Sequence, residues 1–352
     1  MLIKRQTSYG SNDLITIYRP CTVDEIIGQD VNKKIIKNNL LNGTTPHTML
    51  FTGPTGCGKT TVARVIALRL NCINPSHEHT YTPCLKCRIC KATLEHQNLD
   101  VIEINVGESG GKAAVEKITS DLSYSPMMSS NKVLIFDEAH KLTPAAQDLL
   151  LKKIEDGYDN VYFIFCTNKP EKLVPEFIDR NFGMYFGTMA DKLLLELITN
   201  VCDYEGVEYK PNILRYIVEI AKGTPRRAIM SLKVVIDEGS WDIDNVKAAL
   251  ISQAIDEDNP NVMAIGKCLM AGRFKESLKV LKNLKNVPEE TVRIATAGFF
   301  TNKLTWCKSF EEGDKFSAIL DFMTVPILMT GKPAYHKLVN SFYKATKIMK
   351  GK

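Results

Sequence analysis

One octapeptide constrains this chain more than any other feature: Gly53-Pro54-Thr55-Gly56-Cys57-Gly58-Lys59-Thr60 is a full match to G-x-x-x-x-G-K-[ST]. The apolar run Met49–Thr52 before it reads as a strand, and Thr60–Leu70 after it has helical spacing. In that strand–loop–helix setting the glycines let backbone N–H groups close around phosphate oxygens, and the helix start adds positive potential. Lys59 is placed to reach the β and γ phosphates of a nucleotide and Thr60 to hold Mg²⁺, with Thr61 completing the stretch Gly53–Thr61 as the binding loop. A chance glycine-rich turn would need neither flank.

Such a loop requires a parallel sheet. Asp100–Asn105, Lys132–Phe136 and Val161–Cys166 supply three more buried strands, with helices over Ala113–Leu122 and Ala145–Glu155 between them. Ligands of parallel sheets sit beyond the carboxyl ends of the strands. There the apolar run Val133–Phe136 delivers Asp137 and Glu138. Asp137 suits coordination of Mg²⁺, directly or through water, and Glu138 suits polarising an attacking water. This pair separates a hydrolase from a nucleotide-binding scaffold.

After about residue 188 the strands stop. Lys192–Glu205, Asn212–Ala221, Pro225–Ile236 and Asn245–Ile255 have helical spacing, broken by Gly206, Gly223 and Gly239. Asp256–Pro260 reads as an acidic linker, and Asn261–Lys352 is helical with a basic tail. The expected architecture is an α/β domain over residues 1–188, a small helical domain over 189–255 and a larger helical domain over 256–352.

Apolar and charged fractions of 44% and 24% are ordinary for a globular chain. No apolar run approaches the roughly 20 residues of a membrane span. The first ten residues carry no apolar core, which argues against a secretory signal. A net charge of +5 is compatible with nucleic acid without arguing for it. Of ten cysteines, Cys72, Cys84, Cys87 and Cys90 crowd together. In a chain without an export signal this favours a metal module (about 71–92) and a reducing, cytoplasmic compartment over disulfides. Four thiolates make a closed tetrahedral Zn²⁺ site, hence a structural one. His77 and His79, between the first two cysteines, are rival ligands.

Tyr18-Arg19-Pro20, Gly28-Gln29, the phosphate loop, Asn71-Cys72, Cys84-x-x-Cys87-x-x-Cys90, Asp137–Leu142 and Leu150–Asp156 follow one another in a familiar order. That order resembles the gamma/tau clamp-loader subunit of bacterial DNA polymerase III, a member of the AAA+ ATPases. The resemblance covers residues 17 to about 230; the last hundred match only in length and helical character.

The resemblance implies an AAA+ fold with a helical lid and a helical collar, and ATP, Mg²⁺ and Zn²⁺ as ligands. It implies a motor subunit that opens a sliding clamp and loads it on primer–template DNA within a five-subunit spiral. By position it puts Tyr18, Arg19 and Pro20 in the adenine pocket and Asn168 at the γ-phosphate. Arg226 reaches the nucleotide from the lid, and Arg180 acts on the neighbouring subunit's ATP. Lys112 and Lys117, at the start of a helix, become candidates for the DNA backbone, and Leu122–Met128 for the clamp.

Arg180 is flanked by Asp179 and Asn181, where the family has serine and cysteine, and Gly157 stands where it has prolines. These departures are compatible with a phage-encoded version working in a host cytoplasm. Arg180, Lys112 and Lys117 also fit plain surface charges, Arg180 then pairing with Asp179. Two other functions stay open: an AAA+ motor for branch migration or recombination, and a non-hydrolysing structural subunit of a loader.

Overall fold

The computed structural model describes residues 13–75, 81–120, 122–243, 245–246, 250, 260–284, 289–305, 307, 309–325, 327 and 332–351. His77, His79, most of the 245–255 helix and nearly all of the 256–260 linker lie outside them. The chain divides into two compact units, Met1–Lys233 and Val234–Lys352. The segment expected as a separate small helical domain thus falls largely within the first.

Up to Glu238 the elements run α1 (Leu14–Ile17), α2 (Asp30–Asn42), β1 (Thr48–Thr52), α3 (Lys59–Leu70), α4 (Arg88–Leu94), β2 (Val101–Asn105), α5 (Val106–Ser109), α6 (Lys112–Thr119), β3 (Lys132–Asp137), α7 (Pro144–Asp156), β4 (Val161–Thr167), α8 (Pro175–Asp179), β5 (Phe182–Tyr185), α9 (Asp191–Glu205), α10 (Pro211–Ala221) and α11 (Pro225–Glu238), the last five residues of α11 falling in the second unit. All five strands are parallel, in the order β2-β3-β4-β1-β5.

Side chains alternate across a strand, and that alternation sorts the core into two layers. Met49, Phe51, Val133, Ile135, Ile164 and Cys166 face one side, where Ile36 and Leu40 of α2 and Val62, Ala63 and Ile66 of α3 cover them. Leu50, Leu134, Phe136, Phe163 and Phe165 face the other, under Val115 of α6, Leu150 of α7 and Phe177 of α8. Burial on both faces is why the sequence of β1, β3 and β4 is continuously apolar.

β5 was not anticipated. It is a four-residue edge strand of which only Met184 is buried, so it carries no apolar run to read. Its register (Phe51↔Met184, Thr52↔Tyr185) nonetheless completes the sheet beside β1.

The second unit is helical: Pro260–Met270, Phe274–Asn283, Glu289–Thr305, Phe310–Met323 and Lys332–Met349 surround a core of Ile265, Leu269, Phe300, Phe316, Ile319 and Phe342. Ser309 caps the Phe310 helix by accepting from the Glu312 N–H at 3.2 Å. Among the described residues no helix is long and apolar enough to cross a membrane.

Candidate nucleotide site and cysteine cluster

The register brings Thr52, Asp137 and Thr167 to one edge of the sheet, at the carboxyl ends of β1, β3 and β4. Beyond that edge lies a cavity of about 290 Å³. Thr55, Gly56, Cys57, Gly58, Lys59, Thr60 and Thr61 form its floor; Asp137, Glu138 and Asn168 line one wall, and Tyr18, Arg19, Pro20 and Arg226 another.

Two glycines of the loop, Gly53 and Gly56, are needed for space. A Cβ on Gly53 would lie 2.1 Å from the Phe186 carbonyl, and one on Gly56 2.7 Å from Thr224 Cγ2. Both have positive φ, +134° and +80°. The first-turn N–H groups of α3, unpaired within the helix, open into this loop.

The polar groups of the cavity hold one another. Lys59, only 8% exposed, donates through Nζ to the carbonyls of Gly53 (2.8 Å) and Pro54 (2.7 Å). Burial pushes its ammonium below the ordinary lysine range. Thr60 Oγ1 donates to Asp137 Oδ2 at 3.0 Å, the pairing expected of two groups that share a metal. Asn168 Nδ2 donates to Thr55 Oγ1 at 2.9 Å.

Glu138 has φ of +56°, a strained value for a non-glycine residue. Its carboxylate is ion-paired with Lys141. That hydrogen bond, ahead of the opposing effect of burial, holds its pKa below the usual carboxylate range.

Ile15, Ile26, Met189, Leu197 and Ile229 add apolar surface to the cavity lining. The buried Tyr18 donates through its hydroxyl to Glu205 Oε1 of α9 at 2.6 Å. Burial, then that bond, raises the Tyr18 phenol above its ordinary pKa. Burial, then the neighbouring Arg64, lowers Arg19.

Sequence reasoning missed Arg64 and Glu103. Arg64 forks onto Glu103 with two hydrogen bonds of 2.7 Å, and both residues line the cavity beside Asp137 and Glu138. The signal was there: Arg64 lies four residues after Thr60, on the same helix face, and Glu103 is a charge within a strand.

Other expected residues lie elsewhere. Arg180 is not in the wall; it pairs with Glu155 at 2.9 Å, not with Asp179, and its side chain is 57% exposed. Lys112 and Lys117 are exposed on α6. Tyr124 and Met127, 71% and 79% exposed, project from a loop whose Met127, Met128 and Ser129 N–H groups all donate to the buried Asp100 carboxylate.

Cys72, Cys84, Cys87 and Cys90 bring their sulfurs within 4.8 Å of one another. Tetrahedral zinc with Zn–S of about 2.3 Å needs about 3.8 Å between sulfurs, so the four residues fit that ion with a small contraction. Backbone N–H groups already point at three of them: Cys84 N to Cys72 Sγ (3.2 Å), Cys87 N to Cys84 Sγ (3.3 Å) and Cys90 N to Cys87 Sγ (3.4 Å). Burial alone would raise Cys87, but hydrogen bonds from the Cys90 and Ile73 backbone outweigh it and bring the thiol to about 6. Burial raises Cys90 and Cys72. All four ligand positions being sulfur, the site would be closed to substrate.

A family model described as DNA polymerase III, delta subunit, matches residues 28–189. The gamma/tau subunit of DNA polymerase III from Mycobacterium tuberculosis (strain ATCC 25618 / H37Rv) is 31% identical over 217 residues, 61% of this chain and 37% of that one. The tau subunit from Bacillus subtilis (strain 168) is 30% identical over 238 residues, 68% and 42% of the two chains. The gamma subunit from Buchnera aphidicola subsp. Baizongia pistaciae is 29% identical over 229 residues, 64% and 60%. The chain thus spans less than two thirds of the length of these relatives.

Among solved structures, the Thermotoga maritima RuvB Holliday junction branch migration motor aligns with TM-score 0.51 and 22% identity, over 91% of this chain and 97% of that one. A proline-to-glycine mutant of the same motor gives 0.53 and 20%, over 91% and 98%. At that identity the likeness is one of fold. The chain shares the fold of that motor and resembles the gamma/tau subunits of DNA polymerase III.

Proposed function

We propose that this chain is the ATP-hydrolysing motor subunit of a clamp loader, which opens a sliding clamp and sets it on primer–template DNA. The observation that carries this reading is the cavity where Lys59, the Thr60–Asp137 pair, Glu138 and Asn168 converge, in a chain that resembles gamma/tau across the same residues and carries four convergent cysteines.

Arriving phosphates would draw Lys59 from the carbonyls of Gly53 and Pro54 and Asn168 from Thr55. Thr60 and Asp137 would hold Mg²⁺, which when bound neutralises phosphate charge. Glu138 would orient and polarise the attacking water once Lys141 releases it. Arg226 would follow the nucleotide from α11, moving α9 to α11 as the phosphates change. Zn²⁺ in the cysteine site would be structural.

Arg180, exposed and paired through its side chain with Glu155, does not line its own cavity and is suited to a neighbour's. An arginine supplied in trans contributes roughly 10³–10⁵ in rate in related phosphoryl transfers, so isolated chains would turn over slowly. Lys112 and Lys117 would meet the DNA backbone and the Tyr124–Met127 loop the clamp. Differential affinity between nucleotide states would carry the work.

The test is ATP hydrolysis by the purified chain with its cognate clamp, with and without primer–template DNA. Stimulation by both together, abolished in Lys59→Ala, supports the loader. Hydrolysis indifferent to the clamp but coupled to strand separation overturns it in favour of a branch-migration motor. Clamp binding with no hydrolysis under any condition leaves only a structural subunit.

A further inference from the structure

Resting on the nucleotide and zinc readings above, we propose that a fifth cysteine, Cys21, couples the metal module to the base end of the nucleotide cavity, so that zinc and ATP each tighten the binding of the other. Cys21 is not one of the four converging sulfurs. It is 6% exposed and shares one buried cluster with Leu68, Cys72 and Cys90, against which Cys84, Leu85 and Cys87 pack.

Its backbone continues the segment that lines the other site. Cys21 directly follows Tyr18-Arg19-Pro20, which line the cavity. Its thiol donates to the Arg19 carbonyl at 3.6 Å, and its N–H donates to Glu25 Oε2 at 2.8 Å. Glu25 is 3% exposed and lines the cavity too. One side chain therefore touches the sulfur cluster while its main chain fixes the turn beside the cavity lining.

A second, stiffer route is parallel to it. Leu68 belongs to α3, whose first turn carries Lys59 and Thr60 of the phosphate loop and whose carboxyl end leads through Asn71 into Cys72. Twelve helical residues span about 18 Å and transmit displacement with little bending. Asn131 donates to Asn71 Oδ1 and to the Leu70 carbonyl, both at 2.9 Å, and so anchors that end to the approach to β3. Contraction of the four sulfurs toward tetrahedral spacing draws in the surface on which Cys21 and Leu68 rest. Packed interiors pass such a shift on, because they have no free volume to absorb it.

Coupling of this kind is reciprocal, which gives a readout independent of hydrolysis. The full chain, loaded with one zinc, is mixed with a chromophoric chelator with and without a non-hydrolysable ATP analogue, and the rate of metal release is followed. Binding of a fluorescent ATP analogue is then compared between zinc-loaded and chelator-stripped protein.

The expected result is release slowed about fivefold by nucleotide, the low end of the roughly 5- to 150-fold range of coupled sites, with a matching loss of affinity in the stripped chain. Cys21→Ala should retain zinc and still bind nucleotide while the ratio falls to what the α3 route alone carries, and a ratio equal to that of the wild type overturns the part assigned to Cys21. Equal release rates with and without nucleotide, in wild-type protein that binds both, overturn the coupling without needing any variant. A chain that purifies without zinc and takes none up overturns it together with the zinc assignment. A zinc-bound chain that binds no ATP overturns it together with the nucleotide reading.

Discussion

The nucleotide cavity and the cysteine cluster lie at opposite ends of α3 and are built on opposite principles. In the cavity three of the reactive groups already have partners: Lys59 has two carbonyls, Asn168 has Thr55 and Glu138 has Lys141. A ligand there exchanges one set of contacts for another, and the protein must remain folded in both states. The cysteine sulfurs meet mainly backbone N–H groups and each other, weak partners that a metal would replace with four strong bonds. The first arrangement is a switch and the second a rivet.

The sharpest way to break the comparison is Glu138→Gln. It is isosteric, and it keeps the backbone N–H of residue 138 that donates to Asp137 Oδ1 at 3.0 Å. Hydrolysis should fall by about 10²–10⁴, the usual weight of a general base, with ATP affinity nearly unchanged. If both fell together in equilibrium binding and steady-state assays, Glu138 would be holding the cavity, and the switch description would fail.

Next in size is Cys90→Ser. Its thiol is 1% exposed, and burial keeps the metal-free group protonated. Zinc affinity, read by competition with a chelator, should drop by more than the roughly 10- to 100-fold that loss of an outer-shell partner costs. Melting temperature should fall with it, whereas Lys59→Ala should leave melting temperature nearly intact without ligand. A Cys90→Ser protein with unchanged zinc content would remove the rivet.

The two sites also differ in how much the sequence discloses. The phosphate loop, Asp137 and Glu138, and the four cysteines were legible because each is local: spacing along the chain sets spacing in space. β1, β3 and β4 were legible because burial on both faces leaves unbroken apolar runs. What was hidden is what depends on distant pairing. β5 exists through its register with β1, not through its own sequence. The Arg180–Glu155 and Arg64–Glu103 pairs join elements 25 and 39 residues apart. Cys21 enters the sulfur cluster from a segment that read only as part of the base pocket. α2 is entered through Gln29 in a left-handed turn without a side-chain cap, so no capping residue marked its start.

A smaller effect sharpens the base end. Tyr18→Phe removes only the hydroxyl that joins the N-terminal segment to Glu205 of α9. The net worth of one such bond is about 0.5–1.5 kcal/mol, so the Kd for ATP should rise several-fold while kcat stays the same. The equivalent loss at the metal end, Tyr81→Phe, removes a long 3.5 Å contact to Asp24 and should leave zinc affinity unchanged. Parallel losses at both ends would mean the two regions respond as one.

The smallest expected effect tests the switch most directly. Lys141 and Glu138 are a half-exposed i,i+3 pair, and exposed pairs contribute about 0.2–1 kcal/mol. That is enough to hold the carboxylate away from a water for much of the time without closing the site. Lys141→Met should therefore raise hydrolysis by the unassembled chain about two- to fivefold.

The same contact sets a pH signature. Lys141 holds the Glu138 pKa below its ordinary value, and the base works only when ionised. The acid limb of the rate profile, governed by protonation of Glu138, should move to higher pH once Lys141 is gone. At neutral pH the variant is faster, because the carboxylate is ionised in both proteins and free in one. Toward about pH 5 its advantage should shrink, because the variant's carboxylate protonates first. An unchanged rate with a shifted acid limb would mean that Lys141 tunes Glu138 without restraining it. A lower rate at every pH would make the lysine part of the catalytic apparatus, and the resting pair would no longer be a lock.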